Sequence, residues 1–508
     1  MSRTLDDVRK EAAEKRHAMG CRTARENLTD LVDAGSFTEY GQLGIAAQRN
    51  RRSYEDLQTS TAADGVITGV ATINRDLFGE EKSRAAVVIY DYSVLAGTQG
   101  HYHHRKLDRI FELAEEWKLP VIMYTEGGGG RPGDTDVTTQ IAGLNIKSFS
   151  TWGKMSGLVP RIAVNNGYCF AGNAVLFGCA DMTIATRKSW IGMAGPALIE
   201  GGGLGVFKPT EIGPIDVSEK NGVVDIVAEN EAEATGIAKK LLGFFQGPLA
   251  DWSCPDQTSL RDAVPENRRR AYPIRRVIET LADTDSFIEL RRAYGVGVVT
   301  GFFRVGGKPI GLIANNCMHL GGAVDAEGAE KGARFLQLCD AFEVPILSLT
   351  DTPGFMVGPD SDAQSAVRRM SSLFVTGASV TVPIVAIVLR KGYGLGAMAM
   401  TGGGFATPVY TAAWPTGEFG GMGLEGAVRL GYKKELEAVK DETEREDLFE
   451  KLLAKMYEEG KATEAATHLE IDAVIDPADT REVILKALAS APKAKAPHGK
   501  RRTFVDTW

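Results

Sequence analysis

The 508-residue chain contains no Cys-x-x-Cys pair. Its six cysteines, Cys21, Cys169, Cys179, Cys254, Cys317 and Cys339, are scattered, most of them in apolar runs. That excludes a zinc ribbon or a dithiol redox centre and leaves reduced core residues. Long apolar runs are missing as well, and none reaches the length of a membrane span. The opening stretch MSRTLDDVRKEAAEKRHAMG has no apolar signal core, and its acids argue against a transit peptide, so a cytoplasmic, membrane-free protein is expected. Positive charge is in deficit, with a net formal charge of -8, which argues against nucleic acid as the main partner. There is no Gly-x-Ser-x-Gly elbow and no P-loop, so acyl-serine and P-loop nucleotide chemistry have no foothold. His101, His103 and His104 in GHYHHRK have no nearby Cys, Asp or Glu, and neighbouring positions cannot all face one ion. No metal site is expected there, but a solvated or phosphate-facing cluster.

What is present is glycine, 58 of them, and a chain long enough for two large domains. The two halves resemble each other. FELAEEWKLPVIMYTEGGGG (Phe111–Gly130) matches LQLCDAFEVPILSLTDTPGF (Leu336–Phe355), and Thr125 and Thr350 stand 225 positions apart. Before them, LVDAGSFTEY (Leu31–Tyr40) matches LADTDSFIEL (Leu281–Leu290), DGVITGVATI (Asp64–Ile73) matches VGVVTGFFRV (Val296–Val305), and Ala85–Gly97 matches Pro309–Gly322. After them, Val159–Val175 matches Val382–Met400, and Ser189-Trp190 echoes Ala413-Trp414. Matches in this order at a nearly constant offset mean an internal duplication. Strand-like and helical runs alternate in each half, so the fold class is α/β, built from stacked ββα or βαβ units. The Pro-rich, aperiodic stretch Gly243–Pro273 separates the halves, and we place the domains at 1–255 and 256–508. Only the first half carries the insert between Tyr40 and Asp64, with Arg49, Arg51 and Arg52. It is either a solvated loop or a phosphate-binding stretch.

Two glycine turns converge in each half. The first follows the central strand, at Gly127, Gly128 and Gly129 or at Gly354 and Phe355; the second opens a helix, at Ala171 and Gly172 or at Tyr393, Gly394, Leu395, Gly396, Ala397 and Met398. The first amides of a helix lack internal acceptors and can donate to an oxygen that gains negative charge. By motif, Gly172 aligns with Ala397 and Ala171 with Gly396. Tight helix–strand packing explains any one such turn; two per half, in both halves, point to paired oxyanion sites formed by backbone amides. Neither half offers a clear side-chain base. Glu126 and Asp351 are matched acids expected to cap their turns. A site with oxyanion donors and no base suits chemistry in which a cofactor supplies the base.

Nearly the whole chain, from ARENLTDLVDAGSFTEYGQLG through KGARFLQLCDAFEVPILSLTDTPGFMVG and LRKGYGLGAMAM to AAWPTGEFGGMGLEGAV and IDAVIDPADTREVI, resembles the carboxyltransferase (β) subunit of biotin-dependent acyl-CoA carboxylases of the propionyl-CoA/acetyl-CoA type. The resemblance implies two tandem crotonase-like domains, with acyl-CoA on the first, carboxybiotin on the second, and an active site shared between subunits of at least a dimer, in the family a hexamer. It implies transfer of CO2 from carboxybiotin to the α-carbon of a thioester. One oxyanion site (Ala171, Gly172) would stabilise the enolate and the other (Gly396, Ala397) the ureido oxygen, with the remaining turn residues binding substrate and the three arginines on the CoA side. The chain has no Met-Lys-Met biotinylation motif and no ATP-binding carboxylase stretch, so a biotin carboxylase and a biotin carrier are expected as partners. Three turns depart from the family pattern: Thr125-Glu126-Gly127-Gly128-Gly129, Ala171-Gly172-Asn173, and Tyr393-Gly394-Leu395-Gly396-Ala397-Met398, with Met398 where short-chain enzymes carry Asp. The departures keep the amide donors but reshape the acyl pocket, so an acetyl or propionyl substrate does not follow from the resemblance. Rival readings are a biotin-dependent acyl-CoA decarboxylase subunit, a crotonase-type hydratase, and an inactive structural subunit.

Overall fold

A computed structural model of the chain describes residues 4–137, 144–492 and 502–508. They form two units, 4–248 with 502–507, and 249–492 with Trp508.

The first unit holds β1 (Thr38–Tyr40), β2 (Val66–Thr72), β3 (Arg84–Tyr90), β4 (Val121–Tyr124), β5 (Arg161–Asn165), β6 (Tyr168–Phe170), β7 (Met182–Thr186), β8 (Trp190–Gly192) and β9 (Ile226–Ala228). Its main sheet runs β1-β2-β3-β4-β5-β7-β9, while β6 and β8 pair separately. The first two pairings are antiparallel and the rest parallel. The second unit holds β10 (Ile288–Leu290), β11 (Val298–Val305), β12 (Lys308–Asn315), β13 (Ile346–Thr352), β14 (Ile384–Tyr393), β15 (Tyr410–Ala413), β16 (Glu418–Gly420) and β17 (Ala473–Val474). It repeats the plan as β10-β11-β12-β13-β14-β15-β17, with β16 beside the end of β14. The mixed α/β plan and its duplication agree with the sequence reading.

The parallel strands read as continuous apolar runs because both their faces are covered. VIMY in β4 and ILSLTDT in β13 are buried at every position. Helix His101–Trp117 packs one such face, with Phe111 stacked on Trp152 at 5.0 Å. Its counterpart is helix Ala326–Ala341. Each carries a buried lysine at the same place in the repeat. Lys106 donates to the carbonyls of Ala63 (2.8 Å) and Val66, and Lys331 to those of Arg291 (2.8 Å) and Tyr294 (3.0 Å). An ammonium can be buried only where such acceptors replace water. Here each lysine ties the loop before the second strand to the helix.

The two helices are capped differently. Asp325 caps its own helix, accepting from the Gly328 amide at 2.7 Å. Gly100 occupies that place in the first unit and has no side chain to offer. Asp134, from the glycine-rich loop, reaches back to the His101 amide at 2.8 Å. The cap therefore ties the loop to the helix.

Candidate active site

The central turns are built alike. In the first unit the Gln99 amide donates to Gly129 O at 2.7 Å, and Arg131 N to Gln99 O at 2.8 Å; in the second, Val324 N donates to Gly354 O at 3.0 Å and Met356 N to Val324 O at 2.9 Å. This ladder leaves the amides of Gly130 and Phe355 outside it. The amides of the three predicted glycines are all consumed in holding the turn: Gly127 N by Tyr168 O, Gly128 N by Ala96 O, and Gly129 N by Asn173 Oδ1. Gly128 does line the cleft described below.

At the helix-opening turn, the Ala171 amide is taken by Gly192 O at 3.1 Å, so it is closed to a ligand, whereas Gly172, the first residue of helix Gly172–Gly178, has no intrahelical acceptor. In the second unit the helix begins at Gly394, and Gly394, Leu395 and Gly396 form its first turn. Ala397 is the fourth residue and buried.

The motif alignment of these turns is corrected by the pairing of the strands. Gly127 bridges Cys169, and Thr352 bridges Gly392. Gly127 and Thr352 are 225 apart, but Cys169 and Gly392 only 223. Ala171 therefore corresponds to Gly394, not Gly396, and Asn173 to Gly396. Backbone angles agree, since Ala171 has φ +50° and Gly394 φ +58°. Contacts agree too. Asn173 faces Gly129, while a Cβ added at Gly396 would lie 2.5–2.8 Å from Gly354 and the Phe355 amide.

The matched acids do not cap their turns. Glu126 is bound through both oxygens by Arg16, at 2.9 and 2.7 Å. Asp351 pairs with Arg390 at 3.0 Å and accepts from Lys391 N at 3.1 Å. Burial raises the Glu126 carboxyl, and Arg16 opposes the shift. Both pairs are internal struts, engaged with arginine and unavailable as free bases.

In the first unit a cleft of about 1080 Å³ opens onto this turn. Phe149, Phe170, Ile146 and Leu198 give it apolar walls, and Gln99, Ala171 and Gly172 form part of its floor. The histidines divide. His101 and His104 line the cleft, while His103 is fully buried and its Nδ1 meets Asp64 O at 3.1 Å. His104 is itself largely buried, with Nδ1 3.0 Å from Ser148 Oγ, which donates to Asp108 at 2.7 Å. Burial lowers both rings below the ordinary histidine range. The solvated cluster expected from the sequence is therefore a half-core helix face. Of the three insert arginines, Arg52 is tied to Asp56 and Ser60, Arg49 stacks over Tyr54 at 5.1 Å, and Arg51 stands near Gly133 on the cleft rim.

The second unit has a cavity of about 430 Å³ walled by Gly392, Gly394, Met398, Phe419 and Gly420. Tyr393 is buried and donates to Glu418 at 2.9 Å, so it braces the wall, while Leu395 is exposed. The glycines leave room for a flat ring against the backbone, and the Leu395 amide, the counterpart of that of Gly172, has no intrahelical acceptor, whereas Gly394, like Ala171, follows a residue paired to the neighbouring strand, Tyr393 with Gly420. The wall fits a ureido-type group that accepts hydrogen bonds.

The family model described as the carboxyl transferase domain matches residues 15–504. The chain belongs to the carboxyl transferase family. Among curated relatives, this carboxyltransferase is 32% identical to the methylmalonyl-CoA carboxyltransferase 12S subunit of Propionibacterium freudenreichii subsp. shermanii, over 94% of the chain and 89% of the relative. It is 30% identical to the propionyl-CoA carboxylase beta chain of Saccharopolyspora erythraea, over 94% and 89%. Among solved structures it matches a single-chain, multi-domain long-chain acyl-CoA carboxylase with TM-score 0.91 and 55% identity, covering 96% of this chain and spanning about half (48%) of that one. It also matches the transcarboxylase 12S hexamer solved with methylmalonyl-CoA and methylmalonic acid, with TM-score 0.82 and 29% identity over 96% and 94%. The carboxyltransferase class and the crotonase-like α/β fold read from the sequence both stand, as does biotin-dependent chemistry. Among the described residues no helix is long and apolar enough to cross a membrane.

The sequence missed Gln99, Gly130, Arg16 and Arg390. Arg16 and Glu126 are 110 residues apart, and no local pattern marks them as partners.

Proposed function

We propose that this protein is the carboxyltransferase component of a biotin-dependent acyl-CoA carboxylase, with the acyl-CoA held by the first unit and carboxybiotin by the second. When bound, carboxybiotin supplies the carboxyl group and a ureido nitrogen able to take the α-proton. The chain's own residues supply the electrostatics. Gly172 presents its backbone amide where the thioester oxygen gains charge, and Gly130 presents a second. Leu395, the counterpart of Gly172, offers its amide to the ureido oxygen. Phe149 and Phe170 exclude water from the acyl side, which strengthens each of these bonds.

The observation that carries the reading is the repeated turn: the same ladder sets one open amide beside a helix start in each unit. A reaction with two carbonyls that both become more negative needs that pair. The apolar cleft of about 1080 Å³ favours an acyl group larger than acetyl or propionyl, in keeping with the 55% identity to a long-chain enzyme. We also place this protein in a homo-oligomer, at least a dimer and by likeness to the 12S assembly a hexamer. Its partners are a biotin carboxylase and a biotin carrier, and a cytoplasmic location suits those partners.

The test is transcarboxylation to free biotin. Purified protein is given malonyl-, methylmalonyl- and longer α-carboxylated acyl-CoAs, and biotin-dependent formation of the decarboxylated thioester is followed. Turnover that rises with chain length is the expected result. Folded protein that neither turns over nor binds any acyl-CoA would support a structural subunit instead.

A further inference from the structure

Gln99 enters the site from the strand-like ladder opposite Gly129, and only 4% of it is exposed. Its side chain ends at the cleft floor, so close to Gly172 that a Cβ there would collide with its Oε1 and meet Phe149 at 3.2 Å. Its amide Nε2 lies 2.8 Å from the hydroxyl of Tyr90, at the end of β3.

The donor count at this contact is unbalanced. With Nε2 donating to the phenol oxygen, the Tyr90 proton has no acceptor among the described residues, and Gln99 Oε1 has no donor. Tyr90 is almost fully buried, and burial keeps its hydroxyl protonated at any working pH. A buried hydroxyl whose proton has no acceptor is costly. Turning the amide by 180° repairs the account. Tyr90 O–H then donates to Oε1, and the Nε2 hydrogens face the cleft beside the Gly172 amide. The two orientations have the same shape, so the hydrogen-bond inventory decides between them. With Nε2 toward Tyr90, a carbonyl dipole faces the site and would repel an anion. Turned, the same group is a hydrogen-bond donor preorganised for one.

Resting on the function proposed above, we infer that Gln99 is a catalytic residue of the acyl side: its side-chain N–H, aimed by Tyr90, donates to the thioester oxygen as the α-proton leaves and the oxygen becomes an enolate. It adds a side-chain donor to a site otherwise made of backbone. Tyr90 acts through it as a positioning residue. The second unit has Val324 at this place in the repeat, so the extra donor serves one site only.

The test compares wild type with Gln99→Met, Gln99→Glu and Tyr90→Phe in the full-length assembled protein. An α-carboxylated acyl-CoA is the donor, free biotin the acceptor, and acyl-CoA affinity is measured separately by calorimetry. Methionine keeps the volume and loses the donor; glutamate keeps the shape and presents an acceptor. Both should lower kcat about 100-fold, as for loss of one oxyanion donor, with acyl-CoA Kd within threefold of wild type. Tyr90→Phe should lower kcat about tenfold with KM unchanged. Wild-type kcat in Gln99→Met overturns the inference, as does a loss carried wholly by Kd and KM. Wild-type protein that neither turns over nor binds acyl-CoA overturns the functional reading first, and this inference with it.

Discussion

At the turn after the central strand, the two units solve one problem with different materials. In the first, the Asn173 side chain fills the gap between helix and turn, accepting from Gly129 N at 3.0 Å and donating to Thr125 O at 3.0 Å. In the second, Gly396 has no side chain, and the helix backbone lies against Gly354 and Phe355. Likewise, Ala171 carries a Cβ at φ +50°, ψ −120°, where its counterpart Gly394 carries none. The first unit holds its turn by side-chain hydrogen bonds and a strained alanine, and the second by close backbone packing. Duplication thus preserved the ladder of amides and let the supports diverge. An amide's position is set by the backbone, so many side chains can hold it.

The largest effect is expected at the buried ion pairs. Arg16→Met leaves Glu126 buried without the guanidinium that binds both its oxygens, and should cost about 3–5 kcal/mol in denaturant unfolding. Arg390→Met should cost less, because Asp351 keeps the Lys391 amide. Equal losses would erase the distinction between the two struts. Next, Gly396→Val drives a Cβ into the Gly354 and Phe355 backbone. It should lower transcarboxylation by about 100-fold, or about 3 kcal/mol of barrier, while leaving acyl-CoA binding to the first unit intact. Weakened acyl-CoA binding in that variant would break the assignment of one substrate to each unit.

A pH test follows from Lys106. Burial pushes its ammonium down to about 8 from an ordinary 10.5. The folded protein then binds fewer protons than the unfolded chain between those values, so this group's contribution to stability rises with pH across that window and is lost as pH falls through about 8. Measured against Lys106→Met, wild type should gain roughly 1–3 kcal/mol between pH 8 and pH 10.5; a flat difference would mean that the two carbonyls fully offset burial. Smallest, Ala171→Gly should raise stability by about 1 kcal/mol by releasing a positive φ, and Gly394→Ala should lower it by about as much. If Ala171→Gly destabilises instead, the two-residue correction between the motifs is wrong.

Much of this was readable in advance. The strands, the duplication, the glycine turns and the family resemblance all rest on local pattern: period, turn residues, order along the chain. The open amide at Gly172 was among the predicted positions. The amide at Gly130 was missed, since which of four consecutive glycines donates inward depends on the ladder with Gln99. The matched acids were read as caps because capping is local, whereas their arginines come from elsewhere in the chain: Arg16 lies 110 residues before Glu126, and Arg390 lies on β14, the strand next to that of Asp351. His103 looked solvated because its neighbours are polar, but helix His101–Trp117 turns that position into the core.

By itself the sequence determined that this chain makes one α/β fold twice and places a glycine turn at the same point in each copy. Covalent order and side-chain period are properties of neighbours. Only the tertiary structure decided which amides are spent and which are open, that the helix-opening turn of the second unit sits two residues out of step with its motif, and that Gln99 sits over Gly172. Those depend on strand register and on groups brought together from distant positions, and a hydrogen bond is assigned by distance in space.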